Sequence, residues 1–298
     1  MSLLREEPRG GEDALRAITE LLQDARAADP TLGLYEAADV QWWWAQAPRL
    51  IETFPQLVWF DEVGRPQAAV IMTGWSYGVQ MDPVVLPGAT PELVAQVVDS
   101  GLHHASTAGF DSVQLEVDRA DHVLREALCA RGFEVEDSGW AEAWMSADTR
   151  PEISPLPSDY QLTCRLGTRS QPHHLTERNG DAVERRLQQT SLYRADLDLV
   201  VLDVRGNVAA YGLFWFDPVT STGMIEPMRT EDAHRRRGLA RHLLTAGIDK
   251  LADVGADRVK VCFELSNPAS SELYPSIGFR AVKRTDVLSG PTKGLSTS

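Results

Sequence analysis

The chain has 298 residues, 43% of them hydrophobic and 24% charged, which is about twice the usual size of one domain and enough apolar material for two cores. No run approaches the ~18–20 apolar residues of a membrane span, and no apolar stretch follows Arg5, Glu6, Glu7 and Arg9 as a secretory signal would require. The three cysteines, Cys129, Cys164 and Cys262, form no CxxC pair, so no metal site or disulfide framework is expected, and a cytoplasmic protein fits best.

Charge divides unevenly. Residues 1–150 hold 25 acidic and 10 basic side chains, a balance of −15. Residues 151–298 hold 18 and 19, a balance of +1. Such a surface excludes nucleic acid as a partner. It leaves room for a local anion site near His234-Arg235-Arg236-Arg237.

In chain order, Trp42-Trp43-Trp44 comes first, after Asp39. It reads as a core or interlobe anchor, with an aromatic wall of an acceptor pocket as the alternative. Pro151, Pro155 and Pro157 make 148–158 an extended connector, so the expected domains are 1–150 and 151–298. Beyond it, a polar helix-like region covers about 171–193. The apolar run Leu197 to Leu202, broken by Asp198, leads through a turn at Arg205-Gly206-Asn207 into Val208 to Phe216, a hairpin. A strand follows at 223–230. Leu239, Leu243, Leu244, Ile248 and Leu251 then recur at helical spacing. Arg258 to Phe263 alternates as a strand. Asn267 caps a helix that has Pro268 at its first position and ends at Gly278, and a last strand covers 279–287. This order specifies an α/β (α+β) domain with a mixed sheet.

The first half repeats the second. At an offset of 146, Leu239, Gly247, Gly255, Asp257, Val259, Glu272, Gly278 and Phe279 fall on Leu93, Gly101, Gly109, Asp111, Val113, Glu126, Gly132 and Phe133. That is 8 of 42 positions, too few to decide by identity, but the helix and strand patterns align without a gap. Upstream, Val200, Asp203 and Gly206 match Val58, Asp61 and Gly64 at an offset of 142. A whole domain is duplicated.

The sharpest chemical signal is Thr230 to Arg241, where a strand ends and Arg235-Arg236-Arg237-Gly238-Leu239-Ala240 opens a helix. A helix start offers unpaired N–H groups and partial positive charge, and small residues let a diphosphate come close. The plain alternative is a solvated basic helix start.

Arg235-x-x-Gly238-x-Ala240, followed by Asn267, Ala269, Leu273-Tyr274 and Ile277-Gly278-Phe279, with Ile225-Glu226-Pro227 upstream, resembles the GNAT superfamily of acetyltransferases. The duplicated layout is similar to its tandem members, the mycothiol synthase-like proteins. The resemblance implies two GNAT-like domains, each a twisted mixed β-sheet flanked by helices. It implies acetyl-CoA as co-substrate, no metal, and N-acetylation of a small-molecule primary amine by direct attack on the thioester. A non-catalytic acyl-CoA sensor or scaffold is the alternative.

By the same resemblance, backbone groups of Met228 and Thr230 pair with the pantetheine arm, provided the sheet is splayed beside them. The stretch Arg235, Arg236, Arg237, Gly238, Leu239, Ala240 and Arg241 holds the diphosphate, and Asn267 the pantetheine chain, unless it only caps its helix. Tyr274 is the expected general acid for the departing thiolate, against a plain core tyrosine. Glu226 is the expected general base for the ammonium, or else a ligand for the substrate cation. Strand periodicity places Glu226 on the face of Met228 and Thr230. His234 reads as a bystander, and the pairs His103-His104 and His173-His174 receive no role.

At the 146 offset the first half loses these groups. Arg235, Gly238 and Ala240 fall on Ala89, Glu92 and Val94, and Glu226, Asn267 and Tyr274 fall on Gln80, Asp121 and Leu128. The first lobe is therefore expected to be a non-catalytic partner whose acidity attracts cationic amines. Two like lobes in one chain favour a monomer over a dimer.

Overall fold

The computed structural model describes residues 4–46, 51–52, 54–76 and 78–293. The elements follow one another as β1 (Arg5–Arg9), α1 (Gly11–Ala28), α2 (Ala37–Ala45), β2 (Gln56–Phe60), β3 (Pro66–Trp75), β4 (Gly78–Val85), α3 (Pro91–Thr107), β5 (Ser112–Asp118), α4 (His122–Cys129) and β6 (Glu134–Ser146). The order then repeats: β7 (Tyr160–Cys164), α5 (Thr176–Asn179), α6 (Val183–Leu187), β8 (Asp198–Asp203), β9 (Val208–Asp217), β10 (Thr222–Thr230), α7 (Leu239–Asp253), β11 (Arg258–Glu264), α8 (Pro268–Ile277) and β12 (Arg280–Pro291). The polar region expected as one helix is two short ones, α5 and α6, joined through Gly180.

Two compact units result, and they differ from the halves 1–150 and 151–298. One comprises 1–44, 48–140 and 283–298; the other comprises 45–47 and 141–282. The reason is an exchange of last strands. The end of β12 pairs antiparallel with β5, from Thr285 opposite Asp118 to Pro291 opposite Ser112. The end of β6 lies next to β11. A proline-rich linker marks where helices and strands stop, but it does not say which sheet a strand joins.

Each unit is a mixed sheet with its core under the helices. In the first, Leu57, Trp59, Val70, Met72, Met81, Val97, Val98, Leu115 and Leu128 form the buried cluster. In the second it is Leu199, Val201, Phe214, Ile225, Leu239, Leu243, Ile248, Val261, Tyr274 and Phe279. The repeated glycine of the long helix has a packing reason in both. A Cβ on Gly247 would lie 2.1 Å from Phe214, and one on Gly101 would lie 2.7 Å from Met81 Sδ, so helix and sheet approach too closely for any side chain. Trp42, Trp43 and Trp44 of α2 are all buried, and Trp43 meets Tyr35 edge to face.

Strand registers correct the expected equivalence of Glu226 with Gln80. Met224 pairs with Lys260, and Gln80 pairs with Gln114. Because Lys260 and Gln114 are equivalent, Met224 corresponds to Gln80, and Glu226-Pro227 corresponds to Asp82-Pro83. The offset is 142 on β2 and β3, 144 on β4 and 146 on β5, because connections of unequal length separate them. The first unit therefore keeps a carboxylate where a constant offset predicted an amide.

Candidate active site

The site of the second unit is built where β10 and β11 part. They pair in parallel at Thr222–Arg258, Gly223–Val259 and Met224–Lys260; among the described residues no pair follows. β10 continues against β9 through Thr230–Ala210. The amide of Glu231 donates to Ala209 O (2.9 Å). Antiparallel strands alternate inward and outward groups, so Arg229 also turns to β9, while the N–H and C=O of Met228 and Thr230 turn to the open edge. This is the splay that the pantetheine role of Met228 and Thr230 requires.

Two residues of β10, Glu226 and Pro227, face one of β9, Leu213, between Ile225–Phe214 and Met228–Gly212. This bulge reverses the alternation, so Met228 and Thr230 share the helix-covered face of Ile225. Simple periodicity therefore no longer places Glu226 on their face. Glu226 lies within the bulge, half-buried, and Trp215 Nε1 donates to its carbonyl (2.6 Å).

From the end of β10 at Thr230 the chain passes to the start of α7 at Leu239. Gly238 is the N-cap residue, with φ of +79°, and no side chain caps the helix. The first amide with an intrahelical partner is that of His242, bonded to Gly238 O (3.0 Å). Among the described residues, the amides of Leu239, Ala240 and Arg241 find none. Arg236 also has left-handed backbone, with φ of +63°. Of the three loop arginines, Arg235 pairs with Asp232 (2.7 Å), and Arg237 reaches Ala233 O at 3.5 Å. Arg236 makes no ion pair among the described residues. Arg241 donates to Ser276 Oγ across to α8. Asn267 Oδ1 accepts from Ala269 N (3.1 Å), so it caps α8.

Tyr274 projects from α8 into the core. It is 7% exposed, with its ring 5.2 Å from that of Phe263 and 5.8 Å from that of Phe279. Burial raises its phenol above the ordinary range, and the nearby charges of Glu226 and Cys262 add to this. Such a phenol is fully protonated at neutral pH. Glu226 on β10 and Cys262 on β11 are near enough to act on it electrostatically.

Beside the gap, Lys260 is completely buried and pairs with Glu142 (3.4 Å), which also accepts from Trp144 Nε1 (2.6 Å). Sequence reasoning missed this pair, and it missed a second cluster. His173 Nε2 lies 2.8 Å and His174 Nε2 3.0 Å from the two oxygens of Asp198, and Tyr193 donates to Asp198 Oδ2 (2.8 Å). Burial alone would raise the Asp198 carboxyl, but the two imidazoles outweigh it and hold it down to about 2. Among the described residues this is the one trio of His, Cys or carboxylate groups close enough to share a metal. However, His173 Nδ1 accepts from Leu175 N (3.1 Å), so its proton sits on Nε2 and is donated to Asp198. The signal was present in the sequence: Asp198 interrupts an otherwise apolar run. His234 bonds Tyr160 Oη through Nδ1 (3.0 Å).

Residues 164–279 match the profile of the acetyltransferase (GNAT) family. This segment is similar to a GNAT acetyltransferase domain. The whole chain shares its fold with a GCN5-related N-acetyltransferase from Sphaerobacter thermophilus, at 17% identity and a TM-score of 0.62, covering 98% of each chain. It is also similar to a tandem GNAT protein from the clavulanic acid biosynthesis pathway, at 12% identity and 0.69, over 99% of this chain and 100% of that one. A GCN5-related glucosamine N-acetyltransferase region of a fungal multi-domain β-N-acetylglucosaminidase matches at 13% and 0.59, over 97% of this chain and 38% of that one. A sequence comparison with curated proteins gives no significant match. No helix among the described residues is long and apolar enough to cross a membrane.

Proposed function

We propose that the second unit transfers an acetyl group from acetyl-CoA to the primary amine of a small molecule. The observation that carries this reading is the coincidence, within one unit, of uncapped amides at the start of α7 and an unpaired β10 edge, with the protonated phenol of Tyr274 on the following helix within electrostatic reach of Glu226. Acetyl-CoA, when bound, supplies an acyl group activated as a thioester. The amides of Leu239, Ala240 and Arg241, with Arg236 beside them, bind its diphosphate by charge-assisted hydrogen bonds worth ~1.5–3 kcal/mol each. Outward groups of Met228 and Thr230 orient the pantetheine arm as an added strand. Tyr274 Oη holds the proton that the departing sulfur needs. Glu226 attracts the ammonium and receives its proton, directly or through water. The first unit serves as a non-catalytic partner.

The test is calorimetry and turnover across a panel of small primary amines. The reading expects acetyl-CoA to bind and at least one amine to be acetylated. Binding without turnover across the panel, unchanged by Tyr274→Phe, would establish the sensor reading instead. No binding of acetyl-CoA sinks both.

A further inference from the structure

The first unit also parts two strands. β4 and β5 pair at Gln80–Gln114 and, among the described residues, nowhere else. Beyond that point lies a cavity of about 470 Å³, within the size range of small-molecule sites. Its apolar walls include Leu22, Leu34, Val84, Val94, Val123 and Leu124. Four carboxylate residues also line it: Asp82, Glu116, Asp118 and Asp121.

Three of these carboxylates have local work. Asp118 and Asp121 accept from the amides of Ala120 and Leu124, and Glu116 accepts from Thr285 Oγ1. Asp82 is different. It is 1% exposed, and its partners are the neutral donors Tyr35 Oη (2.7 Å) and Gln80 Nε2 (2.9 Å) together with the backbone of Glu116. No cation pairs with it among the described residues. The lining guanidinium, Arg26, is 2% exposed, bound to both oxygens of Glu36 and to Pro30 O (2.9 Å). A buried carboxylate without a counter-charge is costly, and a cation placed in the cavity would relieve that cost.

We propose that this cavity of the first unit binds a small organic cation, a protonated amine or guanidine with an apolar body, whose charge sits against Asp82. The site is distinct from the α7 site and does not depend on the acetyltransferase reading. An anionic ligand is disfavoured by the four carboxylate residues and by the start of α3, where Thr90 Oγ1 caps Leu93 N and Glu92 occupies the first turn.

The pH response follows from the groups around Asp82. Burial and the Glu116 charge push its carboxyl up to about 7 against the bonds from Gln80 and Tyr35. Tyr35 is itself pushed well above its ordinary range and stays neutral. The remaining charged or titratable lining groups are Arg26, Asp118, Asp121 and His122. A cation binds the ionised carboxylate, so binding near pH 7 expels a proton.

The experiment is titration calorimetry of the full chain with phenethylamine, agmatine and hexylamine. The isosteric alcohol 2-phenylethanol and the anion 3-phenylpropionate serve as controls. At least one amine should bind at pH 8, bind about 10-fold more weakly at pH 6, and exceed its neutral isostere about 10-fold. Asp82→Asn should abolish the pH dependence and the preference for the amine, while acetyl-CoA binding stays unchanged. Leu124→Trp, which fills the cavity, should block binding with Asp82 intact. The proposal is overturned if no amine binds at millimolar concentration, if the alcohol binds as tightly as the amine, or if both variants bind like the wild type.

Discussion

The starts of α3 and α7 occupy equivalent places in two copies of one motif, yet they present opposite surfaces. α3 begins at Pro91, ten residues ahead of Gly101, the glycine against its sheet, while α7 begins at Leu239, eight ahead of Gly247. The extra half-turn carries Pro91, which has no N–H, and Glu92, whose charge already complements the helix dipole. Thr90 Oγ1 satisfies a further amide. α7 replaces all of this with an uncapped Gly238 and no acidic residue in its first turn. One helix start is capped by its own residues, and the other leaves its first amides without an intrahelical partner among the described residues.

The largest effect should come from giving α7 the chemistry of α3. Gly238→Glu puts a carboxylate at the anion seat and a Cβ at φ of +79°. We expect acetyl-CoA affinity to fall about 1,000-fold by calorimetry, several charge-assisted bonds being lost at once. Next is Tyr274→Phe, which imitates the apolar Leu128 at the equivalent place on α4. Turnover should fall about 100-fold while the acetyl-CoA Kd stays within about twofold, because the hydroxyl acts on the leaving group and not on binding. An equal loss in both quantities would remove Tyr274 from the acid role.

A third comparison sets Asp198 against Gln56, which begin equivalent strands. Gln56 is neutral and buried, donating to Ile51 O, Phe54 O and Met72 O. Asp198 is held from 3.8 down to about 2 by its imidazoles. A folded carboxyl below its unfolded value contributes stability above the unfolded value, and that contribution disappears as pH falls through the folded one. Denaturant unfolding of the wild type should therefore lose about 2 kcal/mol between pH 5 and pH 2 that Asp198→Asn does not lose. Identical acid sensitivity in the two proteins would deny Asp198 this role. The smallest effect belongs to Thr90→Ala, which removes the α3 cap. Stability should fall by about 1 kcal/mol, with acetyl-CoA binding untouched.

Local features were legible because local rules govern them. The hairpin at Arg205-Gly206-Asn207, the Asn267 cap with Pro268 and the helical stripe from Leu239 to Leu251 each rest on residues within a few positions of one another. The bulge at Glu226 was not legible, since nothing in the strand's composition marks where one extra residue enters. The trio of His173, His174 and Asp198 was legible only in part: Asp198 stands out in an apolar run, but its two imidazoles lie across a helix pair in sequence and nothing local marks them as its partners.

By itself, the sequence determined the duplication, the order of elements, the anion-seeking start of α7 and the placement of Tyr274 on the following helix. These depend on residue type and spacing along the chain. Tertiary structure decided which strand completes which sheet, where β10 leaves β11, that Asp82 stands where Glu226 stands in the other copy, and that this buried carboxylate has no ion-pair partner among the described residues. Those outcomes are set by pairing between distant strands and by what is excluded from water around a side chain, and neither is written in a residue's near neighbours.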